Sequence, residues 1–420
     1  MALRDRRILL VAGVPPCTNY SGGLFLDQIV RASQPLAGAF IVQNRHLAPA
    51  VPEDVSVSCP IKTILRMDEW HPRTEHELSV RRHERQRIDV HIPDYRKQLL
   101  EFAAEIEATD IWFILEGQTL ISLAHSILDV VDLPLRVQVM DPPGWWLREH
   151  NIDGATSEEV LRKFHEVVER ASSCAAASFA MKEAYEQRYR RTCVTLMPSL
   201  DIALSRPPAP KNSASTLKIG FAGQTYANEE FNQLVLALHE IKRDGRYDAV
   251  ELHAFTQGRP VDDDSSLIRY HGWTNQTRLI EELSQLDLLY CPYWFSEKMR
   301  EETMLSFPSK LTTYLATGRP VLFHGRVDAS PGQFLRRNAA AFFCFRPDAT
   351  ALRRSIERAM AQADLYADTA SNGSAAFARF LTNDCLQSSF EAFMATATPN
   401  RERHGKRLVN ASAVRPAAAG

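Results

Sequence analysis

The chain has 420 residues, 45% hydrophobic and 24% charged, the make-up of a soluble globular protein too long for a single core. A net charge of −2 gives no reason to expect nucleic acid as a partner, and the seven cysteines contain no Cys-x-x-Cys pair, which points to reduced thiols. The opening Met1-Ala-Leu-Arg-Asp-Arg-Arg7 offers no apolar signal region and no later stretch is long and uncharged enough to span a bilayer, so a cytoplasmic protein is expected.

Taken in chain order, short β-branched runs alternate with longer amphipathic ones, as in α/β folds with parallel sheets. In the first half strands are predicted at Arg7–Ala12, Gly38–Gln43, Asp110–Leu115, Leu135–Met140, Cys174–Ser178 and Cys193–Met197. In the second they are predicted at Leu217–Ala222, Ala249–Phe255, Leu267–His271, Asp287–Cys291, Pro320–His324 and Ala341–Phe345. The Pro/Ser-rich residues 205–215 read as a linker between domains at 1–204 and 216–395. From Thr396 to 420 the chain loses periodicity and reads as a disordered tail.

Each half opens with a buried strand, a glycine-bearing loop and a helix: Ile8 to Gly13 followed by Ser21-Gly22-Gly23, then Ile219 to Gly223 followed by Asn228. Two Rossmann-like domains facing one another place ligands at the carboxyl ends of their strands, in the cleft between them. Neither loop matches G-x-G-x-x-G, and no acid is spaced to hold a ribose, which argues against an NAD enzyme. The Asp262-Asp263-Asp264 run lies in a polar Ser-containing stretch and reads as a solvated turn rather than a metal site.

Residues 306–322, Ser-Phe-Pro-Ser-Lys-Leu-Thr-Thr-Tyr-Leu-Ala-Thr-Gly-Arg-Pro-Val-Leu, carry the strongest signal. Pro308 sits at a helix start, Leu311, Tyr314 and Leu315 follow at helical spacing, and Gly318 marks the stop. A loop opening into a helix presents unpaired N–H groups and a positive dipole end, and Lys310 adds a full charge, so a diphosphate is the expected ligand.

Two such halves with this Phe-Pro-Ser-Lys-Leu…Tyr-Leu-Ala-Thr-Gly-Arg-Pro-Val-Leu segment resemble the GT-B glycosyltransferases of the broad family 4, or "group 1", type. Ser178-Phe-Ala-Met-Lys-Glu-Ala-Tyr185, Leu196-Met-Pro-Ser-Leu-Asp201 and Gly220-Phe-Ala-Gly-Gln-Thr-Tyr-Ala-Asn228 extend the likeness over most of the chain. The resemblance implies a retaining, metal-independent transferase without a cofactor, which moves a sugar from a nucleotide-diphosphate donor to a hydroxyl acceptor. A glycan, a lipid-linked glycan or a small molecule could be that acceptor.

Carried onto this sequence, the resemblance gives Lys310, with the N–H groups of Ser309 and Leu311, the pyrophosphate. Gly223, Gln224 and Thr225 become phosphate or sugar contacts, or a plain connecting loop. Gly272 and Trp273 fall where the family binds the base, with Trp273 either stacking on it or filling the core. On the first domain Gly22 and Gly23 would admit the donor closely, or simply form a turn. Asp141 would orient the reacting sugar or the acceptor. Trp145 and Trp146 read as a sugar-stacking platform or an interdomain contact, and Glu116 as an acceptor-side group.

Many relatives keep a glutamate on the helix after the phosphate loop to hold the donor ribose; Thr313 stands at that position, and Glu301 and Glu302 are the nearest carboxylates that could substitute. This departure keeps open a catalytically inert GT-B-shaped binding protein, and a sugar-nucleotide epimerase is a third reading. The basic run Arg81, Arg82, Arg85, Arg87, Arg96 and Lys97 reads as a solvated helix face or a contact to the inner face of an anionic membrane.

Overall fold

The structure is a computed structural model that describes residues 5–18, 21–32, 36–44, 55–67, 69, 77–211, 215–261 and 266–395. The Asp262–Asp264 run and the segment from Thr396 onward lie outside the described residues. The first half begins β1 (Ile8–Ala12), α1 (Ser21–Ala32), β2 (Gly38–Asn44), β3 (Ile61–Arg66), α2 (Glu77–Gln86), a π-helical turn (Arg87–His91) and α3 (Ile92–Glu105). It continues β4 (Asp110–Ile114), α4 (Gly117–Ile127), β5 (Leu135–Val139), α5 (Pro143–Glu149), α6 (Gly154–Arg170), β6 (Ser173–Ala176), α7 (Phe179–Tyr189) and β7 (Cys193–Thr195).

These strands form a seven-stranded parallel sheet in the order β3-β2-β1-β4-β5-β6-β7. Every residue of β1, β4 and β5 is buried, which a strand achieves only when helices cover both faces of its sheet. Strand β3 escaped the sequence reading. It is an edge strand that exposes Ile61, Thr63 and Leu65 and buries Ile64 and Arg66, so it lacks a continuous apolar run.

The second half runs β8 (Thr216–Ala222), α8 (Asn228–Arg243), β9 (Ala249–Phe255), β10 (Ile268–Tyr270), α9 (Gln276–Leu283), β11 (Leu288–Pro292), α10 (Arg300–Leu305) and α11 (Lys310–Ala316). It ends with β12 (Val321–His324), α12 (Ser330–Arg337), β13 (Ala341–Cys344), α13 (Ala349–Ala361), α14 (Ala363–Phe380) and α15 (Asn383–Ala395). Its six strands are parallel in the order β10-β9-β8-β11-β12-β13.

Two features tie the halves together. Helix α15 leaves the second half and packs on the first sheet, where Leu386, Phe390, Phe393 and Met394 are buried with Ile8, Leu10 and Trp112. There the Phe393 carbonyl accepts from the Arg136 guanidinium at 2.9 Å. The Pro-rich stretch after Ser205 is a strap laid along the second half. The Arg206 N–H donates to the Ala316 carbonyl at 2.7 Å and the Ala209 N–H to the Gly318 carbonyl at 3.2 Å.

Candidate active site between the two sheets

On the second-half side the site is built around Lys310, the first residue of α11. Its ammonium donates to the Gln224 carbonyl at 3.1 Å and lies 4.3 Å from the centre of the Phe221 ring and 4.5 Å from that of Tyr226. Among the described residues it has no carboxylate partner. Burial pushes its pKa down to about 8. Gly223 has a φ of +88°, and a Cβ there would lie 3.6 Å from Lys310 Cε, so the loop and the lysine face each other directly. Gln224 is exposed and Thr225 half-buried beside them.

The other second-half candidates divide. Ser309 is exposed at the helix start, whereas Leu311 belongs to the core and its N–H donates to the Pro308 carbonyl at 3.0 Å. That bond takes the Leu311 amide out of the expected pyrophosphate contact. The Thr313 hydroxyl accepts from the Gln276 amide at 2.9 Å and is buried. Gly272 adopts a φ of +70°, and Trp273 beside it is 67% exposed, which rules out the core-filling reading. His324, which ends β12, is not among those candidates; it is buried completely and bonded to the Arg346 carbonyl at 2.8 Å.

On the first-half side Asp141, just past β5, accepts a hydrogen bond from the Ser306 hydroxyl at 2.7 Å. Its surface reaches solvent, yet the protein crowds it closely enough that desolvation raises its pKa, opposed by the Ser306 bond. Pro142 and Pro143 open α5, so Trp145 and Trp146 lie on a helix instead of a loop. The Trp146 ring stacks on His150 at 3.9 Å, and the Arg66 guanidinium sits 5.4 Å from its centre. Those partners occupy the ring, which corrects the expectation of an open platform on Trp146. Trp145 meets Trp146 edge-on at 6.4 Å.

Glu116 follows β4 and packs over Gly13, whose Cβ, if present, would fall 2.2 Å from the carboxylate. Burial raises its pKa, and the charges of Glu69 and Asp141 add to that while Arg66 opposes it. Gly23 turns inward: a Cβ there would lie 2.2 Å from Cys17 Sγ and 2.7 Å from the Pro15 carbonyl oxygen. Its lack of a side chain is required by the packing of its own loop, so the donor reading of Gly23 has no separate support; Gly22 is half-buried next to it.

Tyr226 and Glu69 were not singled out by the sequence, and other residues take partners it did not show. Tyr226 touches Lys310 on one side, and the Asp141 charge is among the influences that, after burial, raise its phenol pKa. Glu302 is buried and pairs with Arg148 of α5, which fixes α10 against the first half and removes it from any ribose contact; Glu301 lies 3.9 Å from the same guanidinium. Glu69 accepts the N–H groups of Gln118 (3.2 Å) and Thr119 (2.8 Å), so a distant carboxylate caps α4. Arg87, in the basic run, is buried against Glu84 instead of facing solvent. A cavity of about 430 Å³ between α7, β7, α14 and α15 is lined by none of the predicted site residues.

No protein-family model matches the sequence, and no curated protein matches it. Solved structures do. Sucrose-phosphate synthase from Thermosynechococcus elongatus aligns over 93% of this chain and 98% of its own, with a TM-score of 0.66 and 13% identity. HepE from Anabaena, solved with UDP and glucose, aligns over 93% of this chain and 100% of its own, with a TM-score of 0.61 and 14% identity. A UDP-forming α,α-trehalose-phosphate synthase from Burkholderia vietnamiensis aligns over 92% and 99%, with a TM-score of 0.60 and 13% identity. The chain has the GT-B fold. In this GT-B chain the carboxyl ends of both sheets bring Lys310, Gly223, Tyr226, Asp141 and Glu116 to one cleft, whose walls are joined by Asp141–Ser306 and Arg148–Glu302. No helix among the described residues is long and apolar enough to cross a membrane.

Proposed function

We propose that this chain is a glycosyltransferase that moves a sugar from a nucleoside-diphosphate sugar, with UDP as the nucleotide, to a hydroxyl acceptor held against the first sheet. The observation that carries this reading is Lys310: a buried ammonium with no carboxylate partner among the described residues, held against the glycine loop at the strand ends. A cation kept unpaired in that place is suited to a diphosphate. The choice of UDP rests on the likeness to HepE, which was solved with UDP and glucose.

In this reading the bond from the donor's anomeric carbon to the diphosphate oxygen breaks, and Lys310 stabilises the charge that develops on the leaving group. The acceptor oxygen bonds to the same carbon. With retention, its proton passes to the leaving phosphate oxygen, which needs no separate base. Neutralisation by Lys310 is what supports a metal-independent reaction. Calorimetry tests the donor half: Lys310→Ala is expected to weaken UDP binding roughly tenfold or more, the loss of a charge-assisted contact. Unchanged affinity would sink the assignment.

An inert, donor-binding protein is the second reading, favoured by Thr313, whose hydroxyl accepts from Gln276 where relatives present a carboxylate. Slow UDP release from UDP-glucose without any acceptor separates the two. Binding without release or transfer supports the inert form.

A further inference from the structure

The first-half end of the cleft has an unusual charge account. Each arginine there already has a carboxylate: Arg66 with Glu69 at 3.1 Å, Arg87 with Glu84, and Arg148 with Glu302. Glu116 makes no hydrogen bond or ion pair among the described residues, and Asp141 holds only the neutral Ser306 hydroxyl. Among the described residues two carboxylates are therefore left over, and none of these three arginines is spare to pair with them.

Unmet polar atoms surround this surplus. Gln118 is fully buried; its amide nitrogen donates to Glu84 at 3.0 Å, and its Oε1 has no partner. Arg66 is 2% exposed with its Nε unpartnered, and the indole N–H of Trp146 is also unpartnered. Arg66, Glu69 and Trp146 lie together. A Cβ on Gly117 would lie 2.3 Å from Glu69 and 3.1 Å from the Trp146 indole nitrogen, while Arg66 covers the Trp146 ring. Buried donors and acceptors left without partners cost free energy unless a ligand or water supplies them.

A sugar hydroxyl carries no charge and can donate to the accessible Glu116 and Asp141 carboxylates. A phosphate only accepts. It would meet two carboxylates that no cation pairs with among the described residues, Glu116 half-buried and Asp141 open to solvent. We propose that the acceptor end of this cleft takes an uncharged, hydroxyl-rich molecule, an unphosphorylated sugar unit, and rejects acceptors that carry phosphate. This inference rests on the transferase reading, with Glu116 as the group that selects the acceptor.

The experiment keeps the two readings apart. UDP binding by calorimetry reports the donor half alone, and its absence fails the transferase reading. With UDP binding established, UDP release from UDP-glucose is measured with hexoses and their methyl glycosides, and with the matching hexose 6-phosphates. The proposal expects acceleration by the neutral set only. Glu116→Gln should raise the acceptor KM about tenfold while UDP affinity stays within twofold, the loss of a charge-assisted hydrogen bond. Glu116→Lys should shift the preference toward the phosphates. Acceleration by hexose phosphates in the wild type, or by neither set, overturns it. So does a Glu116→Gln enzyme whose acceptor KM is unchanged or whose UDP affinity falls in parallel.

Discussion

Lys310 shows how a single residue couples the fold to the site. Its pKa of about 8 lies below the 10.5 of an unburied lysine, so between those values the unfolded chain holds more protons than the native one. The charge therefore costs stability below pH 8, and that cost is relieved as the pH rises from 8 towards 10.5. Diphosphate binding has the opposite preference, since it needs the ammonium. UDP affinity is expected to hold up to about pH 8 and to fall by up to tenfold per unit above it, with Lys310→Met abolishing the fall. Titration calorimetry from pH 7 upward, with a flat wild-type profile, would contradict the assignment. The residue type and its place before a helix could be read from sequence. The depressed pKa could not, because it comes from burial under segments that lie far away along the chain.

At the scale of elements, the short helix α11 and the strap that follows Ser205 depend on one glycine. Gly318 has a φ of +71°, and a Cβ there would fall 2.2 Å from the Pro207 carbonyl oxygen, which belongs to the backbone and has little room to yield. Gly318→Ala is expected to lower the unfolding free energy by about 2 kcal/mol or more, combining left-handed backbone strain with the displaced strap. Urea denaturation checks this, and a change under 0.5 kcal/mol would show that the strap is loosely held. The helix stop at Gly318 was legible from the pattern of Leu311, Tyr314 and Leu315 followed by glycine. The strap was not, because proline-rich polar sequence has the same composition whether it is free or pinned by N–H bonds to Ala316 and Gly318. Strand β3 and the helix carrying Trp145 and Trp146 were hidden for related reasons: an edge strand needs no apolar run, and Asp-Pro-Pro-Gly suggests a turn as readily as a helix start.

In the whole molecule the two halves meet at a small set of polar contacts beside the cleft. Arg148, one-third exposed, pairs with Glu302, which is almost wholly covered. Arg148→Ala leaves a buried carboxylate without its cation, and a loss of about 1–3 kcal/mol is expected after allowing for solvent at the arginine. Adding Glu302→Gln should recover part of that loss. A double-mutant cycle with no coupling would show that the pair does not hold the halves together. Removal of α15 is a harsher test of the same scale, since it would uncover Trp112 and Ile8 in the core of the other half. Truncation after Thr382 is expected to abolish cooperative unfolding of the first half, as followed by near-ultraviolet circular dichroism.

By itself the sequence determined the alternation of strands and helices, the two parallel sheets and the lysine-bearing helix start, because these follow from local periodicity and turn chemistry. It also marked Gly223 and Asp141 as strand-end residues, since position after a buried strand is a one-dimensional fact. Only the tertiary structure decided which of the candidates stand open to a ligand. Trp146 is taken up by His150 and Arg66, Gly23 by Cys17, the Leu311 amide by Pro308 and Glu302 by Arg148. Among the described residues Glu116 is left without a partner. The physical reason is that pairing depends on neighbours drawn from distant segments, and no window of sequence contains them.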